Sequence, residues 1–181
     1  MPELHPLLAD RWSPRAFDPT ATVTDDELAS LLEAARWAPS AGDSQPWRFV
    51  AGRRDHETYK RILANLADGD QRWADRASAL LVGAHLTATR SGARMPYAAY
   101  DLGQSVAHLS VQAGTLGWYV RQVTEFDRAG LRDDLDLPAR VEPRVVIAVG
   151  RPGDPRSLPP DLLRREIQLR RRQPLADLLL R

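Results

Sequence analysis

The sequence predicts an α+β fold, with a central mixed or antiparallel sheet flanked by helices. Three observations carry this expectation. Ser78 to Ala84 and Arg144 to Val149 are continuous apolar runs of strand length, the pattern of strands buried on both faces. Leu102, Val106, Leu109, Ala113 and Leu116 recur three or four residues apart, the period of one long helix. No Gly-x-Gly-x-x-Gly joins a strand to a helix and no Gly-x-x-x-x-Gly-Lys loop occurs, so the grammar of doubly wound nucleotide-binding sheets is missing. With 181 residues, 43% of them hydrophobic, the chain is long enough to bury a core as a single domain, residues 1–181.

In chain order, Thr24-Asp25-Asp26-Glu27 reads as a capping box that opens a helix. Leu28, Leu31, Leu32, Ala35 and Ala38 form its apolar face, and Pro39 stops it. Trp47 to Ala51 is a strand ended by Gly52 and three charged residues, and His56 to Leu66 is a surface helix. The long helix runs from about Pro96 to Leu116. Small residues (Ala98, Ala99, Gly103, Ser105, Ala107, Ala113, Gly114) let another backbone approach it, and Gly117 caps it in the left-handed conformation. Trp118 to Val123 is a further strand, and Asp127 to Leu135 a short acidic helix. The tail from Leu162 to Arg181 is rich in arginine.

Composition narrows the chemistry. A net charge of +1 argues against a nucleic-acid binder or a polybasic membrane anchor. No stretch approaches the roughly 18 apolar residues that span a bilayer. Met1-Pro2-Glu3-Leu4-His5 has neither a basic nor an apolar leader region, so a cytoplasmic location is expected. With no cysteine and four scattered histidines, thiol catalysis, iron–sulfur clusters and a His-built metal site fall away; any redox chemistry needs a bound carrier. Lys60 is the only lysine, so a lone arginine says little and only clusters count.

Two short stretches stand out. Arg11, Ser13 and Arg15 alternate in a segment stiffened by Pro14, so their side chains project on one side as a phosphate needs; the same spacing also suits a solvated basic segment. Pro39, Ser40, Ala41, Gly42, Asp43, Ser44 and Gln45 form a turn-rich run that exposes backbone N–H groups, or simply connects a helix to a strand. Arg164, Arg165 and Arg170 to Arg172 form a third cluster that suits a phosphate or a solvated face. His108 is expected in the core, Asp101 is expected to favour the helix dipole, and the five tryptophans are expected to be core residues.

The order Arg-x-Ser-x-Arg-x-Phe, then a helix, then Ala-Pro-Ser-x-x-x-x-Gln-Pro-Trp-x-Phe, resembles the FMN-dependent nitroreductase family. Trp73 to Val82 is similar to the family's strand after its second helix pair, Tyr100 to Gly117 to its central dimer helix, and Arg172-Gln173-Pro174-Leu175 to its C-terminal Arg-x-Pro-Leu. The resemblance implies an intertwined homodimer that binds FMN and no metal. It implies that Arg11, Ser13 and Arg15 hold the phosphate and ribityl groups and that Arg170 and Arg172 close on the phosphate. Pro39, Ser40 and Ala41, with Asp43 and Gln45 of the same loop, would reach the flavin from the partner subunit, and Gly117 to Arg121 would lie near its ring system. The implied activity is transfer of a hydride from NADH or NADPH through flavin N5 to a nitroaromatic, quinone or similar acceptor, by a ping-pong scheme without a catalytic side chain. The family's usual Asn residues are Asp43 and His108 here, and little chain lies between Thr87 and Tyr97 to form a lid. These departures leave two alternatives: a flavin store or sensor with little turnover, or a specialised flavin enzyme for flavin fragmentation, dehalogenation or metabolite dehydrogenation.

Overall fold

Alternation along the strands sorts their side chains onto two faces, and helices cover both. The computed structural model describes residues 3–180; Met1, Pro2 and Arg181, and with them part of the Met1–His5 stretch read as lacking a leader region, lie outside the described residues. Four strands, β1 (Trp47–Arg53), β2 (Ala79–Leu86), β3 (Tyr119–Val123) and β4 (Val141–Gly150), form a sheet in the order β1-β2-β4-β3. Every pairing is antiparallel, which decides between the two arrangements expected for the sheet. The registers Val50↔Val82, Val82↔Val146 and Val120↔Val149 fix the strands against one another.

The central strands β2 and β4 are the two continuous apolar runs, because both their faces are covered. Leu80, Val82, Val146 and Ala148 face a cluster with Tyr59, Ile62, Trp73 and Leu131. These come from the helices α3 (Glu57–Ala64), α4 (Asp68–Ala74) and α6 (Arg128–Asp134), so the His56–Leu66 helix buries one side rather than lying free on the surface. Ala79, Leu81, Val145, Ile147 and Val149 face Leu31 and Ala35 of α2 (Asp25–Arg36) and Leu102, Val106, Leu109 and Ala113 of α5 (Ala98–Thr115). Pro143, which cannot donate to a ladder, sits in a central strand opposite Ala84, where the β2–β4 register shifts between Gly83 and Ala84.

The expected signals at the helix ends are present. Thr24 and Glu27 form the reciprocal capping box of α2, which ends at Arg36, short of Pro39. Gly117 takes φ +72 after α5. Three short helices carry too few turns to show a period: α1 (Pro6–Ala9), α4 and α7 (Pro160–Glu166). Trp73 and Ala74, expected to lead into a strand, end α4 instead.

Two core expectations are corrected. His108 is exposed on the outer side of α5, because the buried stripe of that helix runs through Leu102, Ser105, Val106 and Leu109. Trp47, Trp73 and Trp118 are core residues and Trp12 is half-buried, but Trp37 is 72% exposed. It follows the last turn of α2, where its indole N–H donates to Glu33 at 2.7 Å rather than packing inward.

The N-terminal segment is fastened to the far end of β4. Asp18 N–H donates to Arg151 O at 2.9 Å, Gly153 N–H donates to Ala16 O at 2.7 Å, and the ring of Phe17 packs against Gly150. A Cβ on Gly150 would stand 2.4 Å from Cδ1 of Phe17, a ring that is itself fully buried and packs 6.1 Å from Trp73. Gly150→Val is therefore expected to destabilise the fold by about 3 kcal/mol. A urea titration would show this as a lower midpoint with an unchanged slope.

Candidate functional site

The segment from Arg11 to Arg15 lies outside helix and strand, with a bend at Arg15, and Arg11, Trp12, Ser13 and Arg15 all line one cleft of about 520 Å³. The other wall comes from the end of the chain: Arg165, Glu166, Gln168, Leu169, Arg170, Arg171 and Arg172. Arg121 of β3 and Trp12 complete it. Of the expected C-terminal cluster, only Arg164 does not line this cleft.

Glu166, at the end of α7, holds the two walls together. Its buried carboxylate accepts from the backbone N–H of Arg15 at 2.9 and 3.0 Å and from that of Ala16 at 3.3 Å. Arg170 reaches back across the same junction to the carbonyls of Arg11, at 2.6 Å, and Ala9. Arg121 donates through Nη1 to Ser13 O at 2.8 Å, and its guanidinium stacks over Trp73 with Cζ 5.2 Å from the ring centroid. Arg11 donates to Ser13 Oγ at 2.8 Å.

These guanidiniums repel one another. Burial, then Arg170 and Arg172, lower the pKa of Arg11. Burial lowers that of Arg15, which Glu166 offsets and Arg165 reinforces. Burial, reinforced by Arg15, pushes Arg121 down to about 10. Nε of Arg121 is a buried donor with no hydrogen-bond partner among the described residues. A buried, unpaired donor costs on the order of 1–3 kcal/mol, so the floor of the cleft is built for an acceptor.

The turn-rich loop is a second site element. Gly42, Asp43 and Gln45 all take positive φ (59, 52 and 45), a conformation costly for the last two. The loop is held by Asp101, which is 2% exposed and accepts from Ala41 N–H at 3.2 Å. Asp101 therefore anchors this loop rather than merely favouring the helix dipole. Ser40 Oγ accepts from Gln45 N–H at 3.0 Å, and Asp43 Oδ1 accepts from Gln45 Nε2 at 3.0 Å. Pro39, Ala41, Asp43 and Gln45 are exposed, and Ser40 is half-exposed.

No residue from Pro39 to Gln45 lines the arginine cleft of its own chain. Asp101 holds the loop near the start of α5, whereas Gly114, near its end, lines a small cavity with Arg11 and Trp12. Thirteen residues of helix separate these positions, roughly 20 Å. Between them, on the outer side of α5, Gly103, Ala107 and Gly114 are exposed, and a Cβ on either glycine would meet nothing within 4 Å. Ala107, His108 and Val111 line an open, largely apolar groove of about 730 Å³ with Leu8 and Trp37.

Arg11, Ser13, Arg15, Arg170 and Arg172 therefore line one cleft, joined by Arg121 from the Gly117–Arg121 stretch, whereas Glu166 was not anticipated from the sequence. The available signal for Glu166 was a single acid set among the arginines from 164 to 172.

A family model described as the nitroreductase family matches residues 8–69, the span that holds the Arg11–Arg15 segment and the loop. A solved structure of an oxidoreductase containing FMN is 34% identical, with a TM-score of 0.92, and the match covers 99% of this chain and 91% of that one. A nitroreductase-type protein of Desulfovibrio desulfuricans, solved in complex with FMN, is 25% identical at a TM-score of 0.78, covering 99% and 98%. A protein of Archaeoglobus fulgidus, provisionally named an NADH dehydrogenase/NAD(P)H nitroreductase, is 28% identical over 138 residues, 73% of this chain and 76% of that protein. Another curated relative is longer, the match spanning 62% of it. The chain belongs to the nitroreductase family.

Proposed function

We propose that the protein is an FMN-dependent oxidoreductase that takes electrons from NADH or NADPH and delivers them to a small acceptor such as a nitroaromatic or quinone. The observation that carries this reading is the arginine cleft. Several guanidiniums are held together at a cost in mutual repulsion, over a buried N–H with no partner, in a chain whose structural relatives contain FMN. An anionic cofactor relieves both costs, so the residues present fit FMN.

Arg11, Arg170, Arg172 and the Ser13 hydroxyl would hold the phosphate, with Arg15 deeper in the cleft. Glu166 positions this set by fixing the backbone from which Arg11, Ser13 and Arg15 project. When bound, FMN supplies two-electron transfer between the nicotinamide and the acceptor. The chain's own part is to bind, orient and exclude water.

The loop from Pro39 to Gln45 would complete the site from a second copy of the chain, in a homodimer built on the outer side of α5. Support comes from the roughly 20 Å of helix between Asp101, which holds the loop, and Gly114, which lines a cavity beside Arg11 and Trp12. Further support comes from the exposed Gly103–Ala107–Gly114 stripe and from Trp37 beside the apolar groove. Asp43 Oδ1 accepts from the neutral amide of Gln45, which fixes the direction of that carboxylate.

The test is a titration of the purified apoprotein with FMN, followed by NADH or NADPH under anaerobic conditions. The expected result is one FMN per chain, with its fluorescence quenched, bleaching by the nicotinamide and recovery of colour on adding a quinone. A protein that binds no FMN, or binds it and is not bleached by either nicotinamide, contradicts the proposal.

A further inference from the structure

The few residues between β2 and α5 form a fixed hairpin. Ala88 and Arg94 pair as an antiparallel bridge. Thr89 N–H donates to Ala93 O at 2.9 Å, Gly92 N–H to Thr89 O at 3.1 Å, and Met95 N–H to Thr87 O at 3.1 Å. Gly92 turns the tip at φ +87, which glycine adopts without a steric penalty. Backbone bonds on both sides therefore set where Arg94 stands.

A pocket of about 220 Å³ joins this hairpin to the start of α5 and to the Pro39–Gln45 loop. Ala41, Ser44, Thr89, Arg94, Tyr97 and Asp101 are among the residues that line it. Its two charged groups differ in availability. Asp101 is 2% exposed and committed to Ala41 N–H at 3.2 Å. Arg94 is exposed and takes part in no ion pair among the described residues. An incoming anion thus has a free guanidinium to bind, with a buried carboxylate behind it that opposes a second negative charge. Tyr97, 63% exposed, adds an aromatic surface for a flat molecule.

We propose that this pocket is an acceptor subsite, in which Arg94 selects flat aromatic acceptors that carry a single acidic group, a carboxylate or sulfonate. The proposal rests on the FMN reading given above and narrows its acceptor class. Ala41 and Ser44 belong to the loop read there as completing the flavin site of a second copy. An acceptor lying beside that loop can extend its acidic substituent into the pocket, where Arg94 donates to it and the Ser44 hydroxyl offers a further hydrogen bond. The doubly charged phosphate that distinguishes NADPH from NADH does not suit a pocket with one cation and one carboxylate, so Arg94 reads the acceptor and not the electron donor.

The test uses FMN-loaded wild type, Arg94→Gln and Arg94→Lys, with 4-nitrobenzoate and its uncharged methyl ester as acceptors. Arg94→Gln is expected to lower the ratio of kcat/KM for the acid to that for the ester at least tenfold, chiefly through KM, and Arg94→Lys to restore part of it. Binding without turnover gives a second readout: benzoate and benzamide, titrated against the absorption spectrum of the bound flavin. Arg94→Gln should lose affinity for benzoate at least tenfold more than for benzamide. An unchanged ratio in both assays overturns the proposal, as does an effect confined to the KM of NADPH, which would assign Arg94 to the donor's phosphate. Either result leaves the FMN reading intact, because all three proteins still hold flavin; a wild type that binds no flavin overturns that reading and this assignment with it. Should the variants fail to fold, wild type decides alone. It must bind benzoate more tightly than benzamide and lose that preference as salt is raised, and equal binding of the two contradicts the assignment.

Discussion

The double replacement of Arg11 and Arg15 by alanine is expected to lower FMN affinity by about 10²–10⁴-fold, because each charge-assisted contact contributes roughly 1.5–3 kcal/mol. Arg11→Ala alone should leave the cofactor-free protein no less stable than wild type. The reason lies in the charges. Burial, Arg170 and Arg172 depress Arg11, whereas Glu166 and Asp70 attract Arg15 and partly offset its burial and the repulsion of Arg165. Removing Arg11 therefore removes repulsion from the apoprotein, the pattern of a site that keeps function at the expense of stability. Thermal melts of cofactor-free protein, alongside fluorescence titration with FMN, check both halves. A variant that binds FMN as wild type does would remove the cleft from the account.

Gly103→Glu combined with Ala107→Glu is expected to give a folded monomer that loses its flavin. Within one chain these changes are harmless: a Cβ at Gly103 meets nothing within 4 Å, and Ala107 is exposed. Glutamate is also the better helix former at position 103, by up to about 1 kcal/mol. The damage would come only from a second copy laid against the stripe, where like charges and bulk would oppose contact. Sedimentation together with visible absorbance measures both outcomes. A double variant that stays dimeric and yellow would move the interface away from α5.

Much of the scaffold was legible because it rests on local signals. The apolar runs of β2 and β4, the capping box at Thr24 and Glu27, the stripe of α5 and the left-handed Gly117 each depend on residues close in sequence. What stayed hidden depends on distant pairs. Glu166 meets Arg15 across 151 positions, and Asp101 meets Ala41 across 60, so no spacing rule connects them. Trp37 and His108 were placed in the core for a different reason. An apolar or aromatic residue on a helix face reads the same whether its own chain covers it or another chain does, and both line the groove beside α5. The cleft was half legible: Arg11, Ser13 and Arg15 stand close in sequence and the resemblance puts Gly117 to Arg121 near the cofactor ring, but that Arg121 joins them in one cleft emerges only when the sheet is assembled.

The claim that each flavin site is shared between two chains has one direct measurement. One variant carries Arg11→Ala and Arg15→Ala; the other carries Ala41→Trp, which blocks the loop. Each alone is expected to be colourless. Refolded together in equal amounts, they form mixed dimers in which one site joins an intact cleft to an intact loop, so about a quarter of the wild-type FMN content should return. If the mixture stays as colourless as its parts, the cleft and the loop do not meet across subunits, and the shared site is wrong.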